Sequence, residues 1–208
     1  MKVEHIEILV EEPSMESALR VLLPRMLKEI SFEVHPYQGK SDLLQRLPER
    51  LVGYASWLPA THRIVVLIDR DDDDCKKLKR QLEKIARDAG LVTKTTAGSR
   101  PYQVVNRLAI EELEAWYFGD WEAVRTAYPR VPATIPRKAG FRVPDAIKGG
   151  TWEALERILQ QAGHLKGRLR KIETARIVAK HMAPSRNSSR SFCVLREALE
   201  KMSSPTVH

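Results

Sequence analysis

Residues 63–75 read RIVVLIDRDDDDC, and the fold turns on them. Residues 64–68 are five consecutive apolar, mostly β-branched side chains. Such a run predicts a short strand buried on both faces, as in the middle of a parallel sheet. It closes on Asp69, and four of the next five residues are acidic. In an open α/β sheet, ligands bind beyond the carboxyl end of a central strand. Carboxylates crowded there repel one another unless a cation compensates, and hard oxygen ligands suit Mg2+ or Mn2+. A second reading of the run is also open. Acids are favoured in the first turn of a helix, and a long amphipathic segment follows. Helix capping accounts for Asp73 and Asp74 but does less for Asp69 and Asp71, which come before the helix.

Working outward, residues 2–10 (KVEHIEILV) predict a first strand that also ends on acids, Glu11 and Glu12. Pro13 suits a first helical position, and a helix is expected to about residue 30, interrupted or kinked at Pro24. Residues 32–36 predict a second strand and residues 42–57 a second helix. A third helix is expected over 74–89, stopped by Gly90. Residues 102–110 predict a fourth strand that runs directly into the acidic, aromatic stretch EELEAWYFGD of residues 111–120. This alternation predicts an α/β domain over residues 1–120, with a parallel sheet of about four strands flanked by helices. Parallel strands one and three would put their terminal acids on one rim. Residues 121–150 read as a Pro-rich, basic connector, and residues 151–208 as a helical, basic extension packed on the same domain. Within that extension we expect a helix over 151–162, N-capped by Thr151, and a basic helical stretch over 164–181. In that stretch Leu165, Leu169, Ile172, Ala175 and Ile177 would face inward. A last helix is expected over 192–202, followed by a frayed tail, SSPTVH.

The chain has 208 residues, 43% hydrophobic and 30% charged, enough apolar material for a core. Its net charge of +8 favours polyanionic partners without choosing among them. It contains no apolar run long enough for a membrane span. Cys75 and Cys193 are the only cysteines. They form no disulfide framework or zinc pattern, so a reducing cytoplasm is expected. His62, His164 and His181 show no metal-ligand spacing and read as surface residues.

Taken in order, the acidic strand ends resemble the Toprim domain, which carries a Glu after its first strand and an Asp-x-Asp after a later one. Ile8-Leu9-Val10-Glu11 matches the first element and Leu67-Ile68-Asp69-Arg70-Asp71 the second. The stretch Ile110-Glu111-Glu112-Leu113-Glu114-Ala115-Trp116 is similar to an I-E-x-x-E-x-W stretch of the bacterial domain-of-unknown-function family 4276, a resemblance covering most of the chain. Related Toprim domains form the nuclease half of OLD (overcoming-lysogenization-defect) proteins, beside an ATPase. This chain has no Walker A motif, so such an ATPase would be a separate partner. Two positions depart from the Toprim pattern. Glu12 stands where Gly is usual, and Met15 where many relatives carry an acid.

The resemblance implies Mg2+- or Mn2+-dependent cleavage of DNA or RNA phosphodiesters, in phage defence by analogy with its relatives' company. It implies Asp69 and Asp71 as metal ligands, with Asp73 joining them if it stays out of the helix. Glu11 would be a proton carrier or shared ligand. Glu114 would complete the set, with Glu111 and Glu112 behind it, Glu111 and Glu114 sharing one helical face. That stretch equally fits a solvated acidic helix start over a core of Leu113, Trp116 and Tyr117. No tyrosine has the context of a topoisomerase nucleophile. Lys166, Arg168, Arg170, Lys171 and Arg190 are the candidate contacts to a nucleic-acid backbone, and the same charges also fit an ordinary solvated face. Two other functions stay open: a non-catalytic module binding nucleic acid or a partner ATPase, and a phosphohydrolase of small phosphoesters.

Overall fold

The computed structural model describes residues 2–71 and 73–203, so Asp72 and the tail from residue 204 lie outside the described residues. Four strands, β1 (His5–Val10), β2 (Ser31–Pro36), β3 (His62–Asp69) and β4 (Val104–Ala109), form one sheet in the order β2-β1-β3-β4. Every pairing is parallel. The apolar run is the core of β3, flanked by β1 on one side and β4 on the other, which explains why it alternates with nothing polar.

The sheet is covered on both faces. Leu9, Ile64, Val66, Ile68 and Val104 pack against Leu43, Leu47 and Leu51 of α2 (Lys40–Trp57) and Leu78 and Leu82 of α3 (Cys75–Asp88). Ile6, Ile8, Val10, Val65, Leu67 and Val105 face α1 (Pro13–Leu27), together with the chain after residue 112. That later part is α4 (Glu114–Gly119), α5 (Trp121–Ala127), α6 (Thr151–Gln161), α7 (Lys171–His181) and α8 (Arg190–Ser203). It shares a single apolar cluster with α1. Arg25 of α1 ties the two parts by donating to the Met182 carbonyl at 2.7 Å and to that of Ala179. Among the described residues no helix is long and apolar enough to cross a membrane.

Several local expectations need correction. α1 is not interrupted at Pro24, and it ends at Leu27, short of residue 30, where Lys28 turns the chain at φ 53°. Residues 164–170 are not helical: Gly163 turns the chain at φ 74°, and α7 begins only at Lys171. Ile172 consequently lies on the outer side, 53% exposed, rather than inward. Thr151 is the first helical residue of α6, not its cap. The cap comes from Glu112, whose Oε2 accepts from Thr151 N (3.0 Å), Thr151 Oγ1 (2.8 Å) and Trp152 N (3.1 Å). The connector holds three short 3-10 turns and does similar work for α8. Asp145 accepts from Arg190 N at 2.5 Å and from Ser191 Oγ at 2.6 Å.

Candidate active site

The winding of the chain reverses between β1 and β3, because the chain leaves β1 for one edge of the sheet and later returns past it to the other. Crevices form at such a switch, outside the carboxyl ends of the strands. Val10 pairs with Leu67, so Glu11 and Asp69 emerge side by side on this rim. Glu11 Oε2 accepts from Asp69 N at 3.0 Å. The β2–α2 loop closes over the same rim: Tyr37 N donates to Val10 O and Gly39 N to Glu11 O, both at 2.9 Å. That delivers Lys40 into the crevice, where its Nζ donates to Asp71 Oδ2 (2.6 Å), Asp73 Oδ2 (2.8 Å) and Arg70 O (3.1 Å).

Behind the rim the acids are buried. Asp69 is 5% exposed and Glu114 1%, and neither Asp69 Oδ1 nor Glu114 Oε2 has a hydrogen-bond partner among the described residues. The buried Tyr117 hydroxyl is likewise unpartnered. Burial, then the charges of Glu11, Glu12, Glu114 and Asp71, push the Asp69 carboxyl well above the usual range. Burial, reinforced by Asp71 and Glu12, raises Glu11 to about 7 even though the Asp69 amide and Lys40 oppose it. Glu114 also rises to about 7, first by burial and then by Glu112 and Glu12, with Lys171 opposing. Buried carboxyls with free oxygens cost free energy unless something cationic completes them. Lys40 does part of this. Burial disfavours its ammonium, and Asp71, Asp73 and Glu11 outweigh that, so its pKa rises. Lys171 adds to this compensation, held charged by Glu114, Glu12, Glu112 and Asp69 despite burial, with its Nζ 5.4 Å from the Trp152 ring centroid.

The backbone around the site is also unusual. Asp71 and Glu111 have φ of 48° and 62°, a region that non-glycine residues seldom occupy. The two are joined, Asp71 N donating to Glu111 O at 3.0 Å. Strain of this kind concentrates at functional sites.

Glu11 and Glu114 thus gather with Asp69 at one rim, both acting on its buried carboxyl. Asp71 and Asp73 lie at its solvent side, held by Lys40, and Asp73 stays outside α3. Asp74 caps that helix, accepting from Lys77 N at 2.7 Å. The expectation that Glu111 and Glu114 share a helical face is wrong, because the left-handed turn at Glu111 precedes α4 and its carboxylate pairs with Arg70. Among the described residues no three Asp, Glu, His or Cys side chains converge closely enough to hold a metal ion as they stand. The chemistry of the donors nevertheless fits one, since oxygen ligands with unpartnered buried lone pairs are what Mg2+ or Mn2+ takes.

Lys166, Arg168 and Arg170 are exposed on the loop before α7, and Arg190 is exposed at the start of α8, 3.7 Å from Glu197. Lys171 turns instead toward the acids, an assignment that its place in a basic run conceals. Lys40 was also missed. Its signal was the short turn after strand two, which in a parallel sheet must lie on the same rim as Glu11.

The family model for the domain of unknown function DUF4276 matches residues 10–200, which spans the acidic rim and all but the end of α8. The chain belongs to the DUF4276 family. No curated protein and no solved structure matches it. Within DUF4276 the matched segment joins the sheet to α4–α8, so this family's unit includes both the strand-end acids and Lys171.

The raised carboxyls make stability depend on pH. Glu114 has a higher pKa folded than unfolded, so the folded state binds more protons between the two values and loses stability as pH rises through that window. The rise from 4.5 to about 7 corresponds to roughly 3 kcal/mol at most. Urea titrations of Glu114→Gln against the wild type in EDTA should show a stability gain that is small at pH 5 and grows to a plateau above pH 7. A gain that does not change with pH contradicts the assignment.

Proposed function

We propose that this protein is a divalent-cation-dependent phosphodiester hydrolase acting on nucleic acid, with a Toprim-like arrangement of acids. The observation that carries this reading is the buried Asp69 carboxyl, with one oxygen unpartnered, facing Glu11 and Glu114 at the switch point of the sheet. Asp69, Glu11 and Glu114, with Asp71 and Asp73 when released by Lys40, are the residues that would hold Mg2+ or Mn2+. Such an ion would neutralise a phosphate and stabilise the leaving oxygen. The chain's own groups do the rest. Burial raises Glu11 to about 7 in the metal-free protein, and its Oε1, the oxygen not engaged by the Asp69 amide, is the proton acceptor or donor when Glu11 does not bind the ion. Lys40 offers its ammonium to an anionic phosphate oxygen once that group competes with Asp71 and Asp73. The exposed Lys166, Arg168, Arg170 and Arg190 contact the backbone without reading bases.

The resemblance of Glu11 and Asp69-Arg70-Asp71 to the Toprim pattern, a domain that OLD proteins carry beside an ATPase, extends the proposal to phage defence in the cytoplasm with a separate ATPase. A second reading is a non-catalytic module binding nucleic acid or that ATPase. The Lys40 bridge favours it, because it compensates Asp71 and Asp73 without any ion. Incubation with plasmid, single-stranded DNA and tRNA in Mg2+, Mn2+ or EDTA separates the two. The hydrolase reading expects cleavage with either metal and none in EDTA. Nucleic-acid binding without cleavage under any condition supports the second.

A further inference from the structure

We propose that the cleft between β2 and α2 is a subsite for one unpaired nucleotide of a nucleic-acid strand. The inference rests on the hydrolase reading for its setting, but on separate residues for its observations. The cleft has a volume of about 680 Å³ and is lined by His35, Tyr37, Arg46, Arg50, Gly53 and Trp57 among others. Its floor is fixed. The Glu7 carboxylate on β1 is held by His35 Nε2 (2.5 Å), Tyr54 Oη (3.0 Å) and His5 Nε2 (3.3 Å).

Three features of the walls point to a ligand. Trp57, at the end of α2, is 56% exposed, and its ring centroid lies 5.5 Å from that of Tyr54. It offers a large stacking face that no core requires. Arg50 lies with its guanidinium carbon 4.9 Å from the Tyr54 ring centroid and one nitrogen 3.4 Å from His35 Nδ1. Among the described residues it has no carboxylate within ion-pair distance, so its donors remain available to a phosphate. Gly53 is the third. A glycine inside a helix costs about 1 kcal/mol relative to alanine. A Cβ built at Gly53 meets no atom within 4 Å, so packing within the protein does not require its absence. The missing side chain instead leaves the cleft wall open at this point.

Aromatic faces beside an arginine that no carboxylate neutralises are how single strands are gripped without sequence preference. An acidic peptide fits less well: the carboxylates of Glu7, Asp42 and Glu49 in the same cleft oppose any anion, and a peptide carboxylate, unlike a nucleotide, brings no base to stack on Trp57. The location also suits a strand. Tyr37 and Gln38 line the cleft, and the next residues, Gly39 and Lys40, touch Glu11, Asp71 and Asp73. A nucleotide seated here lays its neighbouring phosphate toward the acidic rim.

The test is binding in EDTA, where no cleavage intervenes. Fluorescence anisotropy compares a labelled single-stranded oligonucleotide with a blunt duplex, for the wild type and for Gly53→Leu, Arg50→Ala and Trp57→Ala. Each variant should weaken single-strand binding about tenfold or more, and leave duplex binding within about twofold. Gly53→Leu should do so while raising the unfolding midpoint, which separates loss of the cleft from loss of fold. A nucleoside 5′-monophosphate should compete only weakly. The proposal is overturned if Gly53→Leu and Trp57→Ala bind single strands like the wild type. It is also overturned if a nucleoside monophosphate binds as tightly as the strand, or if polyglutamate displaces the strand from the wild type more effectively than unlabelled strand does. A wild type that binds through the cleft yet cleaves nothing refutes the hydrolase and leaves this subsite standing. A cleaving enzyme whose cleft variants bind normally does the reverse.

Discussion

Asp69→Asn should be more stable than the wild type and inactive. Asp69 is buried, one of its oxygens has no partner among the described residues, and four other carboxylates act on it. An ionised carboxylate in that position is held against both desolvation and repulsion. Replacing it by the neutral amide of similar shape removes both, and at pH 8 should stabilise the metal-free protein by about 1–2 kcal/mol. The same change takes away the oxygen around which the proposed ion would be held. Cleavage in Mg2+ should fall about a thousandfold, some 4 kcal/mol of transition-state stabilisation. Urea unfolding in EDTA and a plasmid-cleavage time course measure the two halves independently. A variant that is destabilised and inactive would show only that Asp69 is structural. One that is stabilised and active would remove it from the chemistry.

Asp120→Ala should have the largest cost to folding, about 3 kcal/mol. The Asp120 side chain is fully buried at the junction of α4 and α5. Its Oδ1 accepts from Arg186 Nε at 2.7 Å and caps α5 through Ala123 N at 3.4 Å. Its Oδ2 accepts from Ala183 N at 2.7 Å and from a second guanidinium nitrogen of Arg186 at 3.1 Å. Alanine leaves the Ala183 amide without its acceptor and strips the carboxylate from the start of α5, where Ala123 N keeps only the residue-120 carbonyl at 2.9 Å. Because Arg186 is half-exposed and can turn to water, the cost stays below that of stranding a buried charge. A shift in urea midpoint equivalent to less than 1 kcal/mol would mean that α7 and α8 dock without this tie.

The two stretches most plainly written in the sequence were the β3 run and the strand-end acids, because each is a local pattern with a local cause. A continuous apolar run implies a strand buried on both faces. Parallel strands then force Glu11 and Asp69 to one rim. What sequence patterns could not supply was the partner of each charge. Glu112 and Asp145 look like members of an acidic and a basic stretch, yet each caps a helix tens of residues away. Glu111 fits a helical spacing with Glu114, but its positive φ takes it out of the helix and onto Arg70. Lys40 and Lys171 are the compensating cations of the acid cluster, and both come from elements remote from it in the chain. Charge compensation is a long-range property, set by which helix crosses which rim, and periodicity carries no information about it.

Mn2+ binding followed by electron paramagnetic resonance at pH 8 tests whether the rim acids hold a divalent cation. The wild type should take up Mn2+, Mg2+ should displace it, and Asp69→Asn and Glu11→Gln should lose it. Glu112→Gln, whose carboxylate caps α6, should bind as the wild type does. Equal Mn2+ uptake by the wild type and Asp69→Asn, or no uptake by either, would mean that the rim acids do not hold the cation.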